Sequence, residues 1–228
     1  MFHAIANWIL RILFAILFKL DLVGTEHVPR DGPFLLMINH VYFLDAFLAV
    51  ALARRDIVPM SKIENYKNPL LGMVLRWYGS VSVRRGEVDL QAIRRSLHVL
   101  AQGHGLLMAP EGTRSKSRTL LEGRDGMVML ALHSHVPHMP IVPVAISGQE
   151  HLGHNLKRLG RTPVRMVFGQ PFYLQPKEGL SHREQMRHMT REAMFRLAAL
   201  LPPEYRGVYS DLSQATAEYT VTNDATQG

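Results

Sequence analysis

Three short stretches carry residues whose types and spacing can do chemistry. The first is Asn39-His40-Val41-Tyr42-Phe43-Leu44-Asp45. A histidine and a nearby aspartate make a general base with an orienting carboxylate if their side chains meet. On one helix they would not, because positions five apart point about 140° from each other at 3.6 residues per turn. A meeting requires His40 in a turn folded back on Asp45, with Asp45 in the first turn of a helix, where a carboxylate also suits the helix N-terminus. The same residues equally fit a surface histidine beside a helix-starting aspartate. The second stretch is Arg84-Arg85, suited to holding an anion or simply to a solvated strand end. The third is Pro110-Glu111-Gly112-Thr113-Arg114-Ser115, either a ligand loop or a polar turn with an ion pair.

Each stretch leaves an apolar run that reads as a strand. Residues 34–38 precede His40, and 46–52 read as the helix that follows Asp45. Strand-to-helix turns are where an α/β fold places its chemistry. Farther on, 57–60 reads as a strand and about 68–78 as a helix. Residues 79–83 form the strand that ends in Arg84-Arg85. Asp89 caps a helix whose stripe is Leu90, Ile93, Leu97 and Leu100. Residues 105–109 form another buried strand, leading to Glu111, and 127–132 read as a helix. Residues 141–146 form a strand in which Pro143 suits a sheet edge or a bulge. A further strand spans 164–168, and the capping box Ser181 to Glu184 opens a long helix that Pro202-Pro203 stops. The alternation predicts one α/β domain over 21–205, a central mixed sheet flanked by helices.

The 228 residues include 26 Lys and Arg against 19 Asp and Glu, a formal charge of +7. That balance favours an anionic partner: nucleic acid, a membrane surface or a phosphorylated substrate. Nucleic acid is not expected, because the chain has no zinc-finger spacing, no aromatic RNA-binding signature and no long basic block. It contains no Cys, which excludes disulfides, zinc–thiolate sites and a Cys-linked acyl intermediate. His133-Ser134-His135 with His138 has no matching ligand set, so no metal and no cofactor are expected. Residues 1–20 are mostly apolar, interrupted by Arg11 and Lys19, and no small-residue cleavage site follows. Phe2, Ile5, Ile9, Ile12 and Ile16 share one helical face, but the opposite face is apolar too. The expectation is a helix lying in or dipping into one leaflet, with a soluble covering helix or a dimer contact as the alternative. Residues 206–228 turn to Ser, Thr, Gln, Ala and Asp and read as a disordered tail.

Taken together, the stretches resemble something definite. His40-x4-Asp45, then Gly79 to Arg85, then Pro110 to Ser115, then Val142-Pro143-Val144 occur in the order and approximate spacing of the four motifs of the glycerolipid acyltransferases. That family includes the bacterial 1-acylglycerol-3-phosphate acyltransferases, and the resemblance runs from about residue 22 to about 175. It implies transfer of a fatty acyl group from acyl-CoA or an acyl-carrier protein to the hydroxyl of a lysophospholipid at the cytoplasmic face of the cell membrane. The acceptor would be 1-acylglycerol 3-phosphate, giving phosphatidate. His40 would be the base and Asp45 its orienter. Arg85 and Arg114 align with motif arginines and would hold the phosphate, Gly112 would admit backbone close to the ligand, and Thr113 would add a hydroxyl donor. Glu111 would orient the arginines or bind a glycerol hydroxyl. Ser82, Arg84 and Ala109 depart from the family pattern and leave the acceptor head group open. A lipid-binding protein without turnover and an acyl-thioester hydrolase are the competing functions.

Overall fold

Alternating side chains along the strands sort the helices onto two sides of one sheet. The computed structural model describes residues 2–86 and 89–222. The chain begins with helix α1 (Phe2–Leu17), strands β1 (Phe18–Val23) and β2 (Phe34–Ile38), and helix α2 (Asp45–Leu52). Next come β3 (Ile57–Lys62), α3 (Pro69–Trp77), β4 (Val81–Val83), α4 (Leu90–Ala101), β5 (Gly105–Met108) and α5 (Gly126–His133). The rest is β6 (Ile141–Ser147), α6 (Leu152–Leu156), β7 (Thr162–Phe168), β8 (Phe172–Leu174), α7 (His182–Leu200) and β9 (Thr220–Thr222). The strand order is β1-β7-β6-β2-β5-β3-β4, with β8 on β6 and β9 on β8. Pairing is parallel except at β6–β7, β6–β8 and β8–β9, so the sheet is mixed.

Strand β2 is buried at every position. Phe34, Leu36 and Ile38 pack with Phe14 of α1 and Leu48 of α2, while Leu35 and Met37 pack with Leu100, Met127 and Leu197 of α4, α5 and α7. Burial on both faces is why this run is continuously apolar instead of alternating. Parallel pairing of β2, β5, β3 and β4 brings the ends that carry His40, Glu111, Lys62 and Arg85 to one edge of the sheet.

Three expectations are corrected. Pro143 lies inside the sheet, opposite Met37 of β2, not at an edge. It fits because the antiparallel partner of β6 changes there: β7 pairs from Val144 onward and β8 at Ile141. Its carbonyl accepts from Gly169 N at 2.8 Å in the intervening turn, so the absent N–H breaks no regular ladder bond.

The N-terminal helix ends at Leu17, not near residue 20, because Phe18 to Val23 pair with β7 and the Phe18 side chain is wholly buried. Its inner positions Ala6, Leu10, Phe14 and Leu17 pack on the domain, and Arg11 Nε donates to Ala51 O at 2.6 Å. Ile5, Trp8, Ile9, Ile12 and Ile16 are exposed. Among the described residues, no helix is long and apolar enough to cross a membrane.

The tail is also ordered where it is described. Glu192 of α7 is buried, and its carboxylate accepts from Thr216 Oγ1, Glu218 N, Tyr219 N and Thr220 Oγ1 at 2.7–3.0 Å. A polar segment misread as free coil is thus tied down by an acceptor on a distant helix. Residues 223–228 of that expectation lie outside the described residues.

Candidate active site

Where β2 ends, Asn39 is wholly buried and acts as an extra rung of the sheet. Its Nδ2 donates to Ile146 O at 2.9 Å, and Ile146 N donates to its Oδ1 at 2.8 Å. This fixes the angle at which His40 leaves the strand. The His40 main chain is held on both sides: its N donates to Glu111 Oε1 at 2.9 Å, and its O accepts from Ser115 N at 2.8 Å.

The next turn folds back. His40 Nδ1 lies 3.0 Å from Asp45 Oδ2, and Val41 N and Tyr42 N donate to the same oxygen at 2.7 and 2.8 Å. Asp45 begins α2, but its carboxylate caps the preceding loop, not the helix's own N–H groups. Gln149 Nε2 donates to the other oxygen at 2.7 Å. Asp45 is completely buried, so these donors replace the water an ionised carboxylate would lose. A carboxylate only accepts, so His40 Nδ1 carries the ring proton and Nε2 is left as the basic nitrogen.

His40 opens into a cleft of about 580 Å³. Its apolar lining includes Leu10 of α1, Phe47 and Val50 of α2, and Leu71, Val74 and Leu75 of α3. Lys62, Arg85, Thr113, Arg114 and Lys116 line it as well. A smaller recess of about 150 Å³ is shared by His40, Arg85, Ala109 and Gly112. Among the described residues, neither Arg85 nor Arg114 is in a salt bridge. Burial lowers the Arg85 pKa, with Glu64 opposing, yet a guanidinium remains charged at neutral pH. Lys62 is paired with Glu64 at 3.2 Å. Arg84 lines neither space; its N donates to Asp89, which also caps α4.

Gly112 has φ +67°, which a non-glycine residue adopts with strain, and its N–H closes a turn onto Ala109 O. That turn carries Thr113 and Arg114 outward and Glu111 inward. Glu111 corrects the expectation. It is 2% exposed and lines neither space, and its hydrogen bonds run to the backbone and not to an arginine. Its oxygens accept from the backbone N–H groups of His40 and Leu121, each at 2.9 Å. Desolvation pushes its carboxyl up to about 7, against those two hydrogen bonds.

Sequence reasoning missed Asn39 and Gln149. Gln149 follows β6, the parallel neighbour of β2, so it is a fourth polar strand exit. That position was the available signal.

A family described as Acyltransferase matches residues 19–147. A 1-acyl-sn-glycerol-3-phosphate acyltransferase of Limnanthes douglasii is 33% identical over 156 residues, which is 67% of this chain and 52% of that protein. A lyso-ornithine lipid O-acyltransferase of Pseudomonas aeruginosa is 31% identical over 210 residues, 84% of this chain and 78% of that protein. The chain spans about half the length of the first plant relatives it matches. The crystal structure of the 1-acyl-sn-glycerophosphate acyltransferase PlsC from Thermotoga maritima superposes with a TM-score of 0.65. At 21% identity it covers 95% of this chain and 81% of that one, and so shares the fold.

Proposed function

The chain belongs to the acyltransferase family, and from that premise we propose that it acylates the hydroxyl of a lysophospholipid at a membrane surface, drawing on an acyl thioester. The observation that carries the reading is one cleft lined by His40 together with apolar side chains and the cationic Lys62, Arg85, Arg114 and Lys116. A lysophospholipid has that polarity: one chain, one free hydroxyl, one charged head group. Arg85 and Arg114 suit a phosphate, because guanidinium groups offer planar, charge-assisted contacts, and 1-acylglycerol 3-phosphate is the acceptor that uses both. The plain relatives' names include an ornithine lipid as well as glycerol phosphate acceptors, and the arginine pair favours the phosphate.

In the reaction His40 Nε2 takes the proton of the acceptor hydroxyl as the oxygen attacks the thioester carbonyl. Asp45 holds the Nδ1–H tautomer and stabilises the imidazolium. The tetrahedral intermediate collapses, the C–S bond breaks, and the thiolate leaves with the proton from His40. No acyl-enzyme forms, in keeping with a chain without Cys. The donor is acyl-CoA or an acyl-carrier protein, both anionic at the group that meets a basic protein. The exposed Ile5, Trp8, Ile9, Ile12 and Ile16 face of α1 lies in one leaflet on the cytoplasmic side of the cell membrane.

The test follows thiol release from palmitoyl-CoA by the full chain in detergent, with a panel of lysolipids. Release that needs lysophosphatidate and falls by about 10²–10⁴ in His40→Ala is expected. Equal release without an acceptor would instead identify a hydrolase, and no release with any donor a lipid-binding protein.

A further inference from the structure

The dyad is held from behind by two residues that lie beyond the matched family segment. Asp45 Oδ2 has three donors, His40 Nδ1, Val41 N and Tyr42 N, whereas Oδ1 has the Gln149 amide. A carboxylate can turn about its own bond to the chain. The donor on Oδ1 fixes the second end of the carboxylate and so, with Val41 N and Tyr42 N, sets the plane that keeps Oδ2 on His40. Gln149 is fully buried, and its Oε1 has no hydrogen-bond partner among the described residues. Leaving a buried acceptor unpaired costs about 1–3 kcal/mol. The arrangement persists with the nitrogen aimed at Asp45, because the flipped amide would set oxygen against oxygen.

The seat of Gln149 is equally specified. Gly148 has φ +94°, and a Cβ there would lie 2.4 Å from Pro163 O, so the turn into Gln149 needs glycine. Gly148 N donates to the Tyr205 hydroxyl at 3.3 Å, and that hydroxyl donates to Glu150 Oε1. Burial and Glu150 push the Tyr205 hydroxyl above its ordinary range, so it remains a donor. The Tyr205 carbonyl accepts from Leu120 N at 2.8 Å, and the neighbouring Leu121 N donates to Glu111, whose other oxygen holds His40 N. Tyr205 thus reaches both members of the dyad, through Gly148 and Gln149 to Asp45 and through Leu120, Leu121 and Glu111 to His40.

We propose that Gln149 is a positioning residue that donates to Asp45 and so keeps the other carboxylate oxygen on His40, and that Tyr205 seats it. The kinetic arm rests on the acyl-transfer reading above; the spectroscopic arm does not. Full-length wild type, Gln149→Met, Gln149→Leu, Tyr205→Phe and the Gln149→Met/Tyr205→Phe double variant are compared in detergent. Palmitoyl-CoA and 1-oleoyl lysophosphatidate are the substrates, and histidine-ring ¹⁵N NMR reports the His40 tautomer. Met keeps the length without the donor, and Leu removes the donor with a shorter apolar side chain. Both are expected to lower kcat at least tenfold with the acceptor KM within twofold, and to move the His40 ring from the Nδ1–H form toward a tautomer mixture. Tyr205→Phe should give a smaller loss, and the double variant should lose no more than Gln149→Met alone, because Tyr205 acts through Gln149.

A folded Gln149→Met protein with kcat within twofold of wild type and an unchanged His40 spectrum would overturn the proposal. If Gln149→Met does not fold, an unaltered spectrum and kcat in both Gln149→Leu and Tyr205→Phe do the same. A tautomer change in the Gln149 variants, with a wild type that transfers no acyl group, would sustain the positioning role and remove the acyl-transfer reading.

Discussion

Glu111 is the place where burial and charge are most directly opposed, and Glu111→Gln exposes the balance. The carboxyl lies 2% exposed, and loss of water raises it from 4.5 to about 7, despite N–H donors from Leu121 and His40. Its folded pKa is above its unfolded one, so between those values the folded chain holds a proton the unfolded chain has released. The stability from this group is therefore fully present below about 4.5 and is lost as pH rises through about 7. A rise of about 2.5 units at about 1.4 kcal/mol each is about 3 kcal/mol in all. Roughly 2–3 kcal/mol of this falls between pH 5 and 8. Gln does not titrate. It keeps one acceptor and turns its amide nitrogen toward the other backbone donor, a constant cost of about 1–3 kcal/mol. The difference in unfolding free energy, variant minus wild type, should consequently rise by about 2–3 kcal/mol from pH 5 to pH 8. Urea unfolding of both proteins in the same detergent at each pH measures it. A difference that stays constant within about 0.5 kcal/mol would refute the argument that a desolvated carboxylate clamps His40 and Leu121.

Other outcomes follow from the same geometry. Arg114→Ala should raise the acceptor KM about tenfold or more with little change in urea midpoint, since the side chain is exposed on the cleft rim; steady-state kinetics against lysophosphatidate checks it. Replacing Trp8, Ile9, Ile12 and Ile16 with serine should release the protein from anionic vesicles in a sedimentation assay while leaving the fold intact. These side chains are 43–64% exposed. Deleting residues 1–20 is the wrong test, because it removes half of β1 along with the buried Phe14 and Phe18.

Short-range regularities made much of the fold legible. The run 34–38 reads as a strand and Phe34–Ile38 is one, because an uninterrupted apolar pentad suits a strand buried on both faces. Asp89 and Ser181 announce α4 and α7 because a cap acts within three residues, and the structure has Asp89 accepting from Ala92 N and Ser181 from Glu184 N. Motif spacing likewise brought His40, Asp45, Arg85, Thr113 and Arg114 to notice, since each follows a strand.

What sequence did not reveal depends on partners far along the chain. Glu111 reads as a ligand-facing motif residue, yet its partners are backbone N–H groups, which every residue type carries and no pattern marks. Gln149 is 104 positions from the carboxylate it meets. Pro143 is tolerated inside the sheet because β7 yields to β8 beside it, and residues 206–222 are held by distant partners such as Glu192 on α7 and strand β8. The sequence by itself determined which residues can act as base, carboxylate and cation, and the strands that end in them. Only the tertiary structure decided which carboxylate faces the base and which holds the backbone. That choice depends on burial and hydrogen-bond geometry between β2, β5 and β6, which exist only once the sheet is assembled.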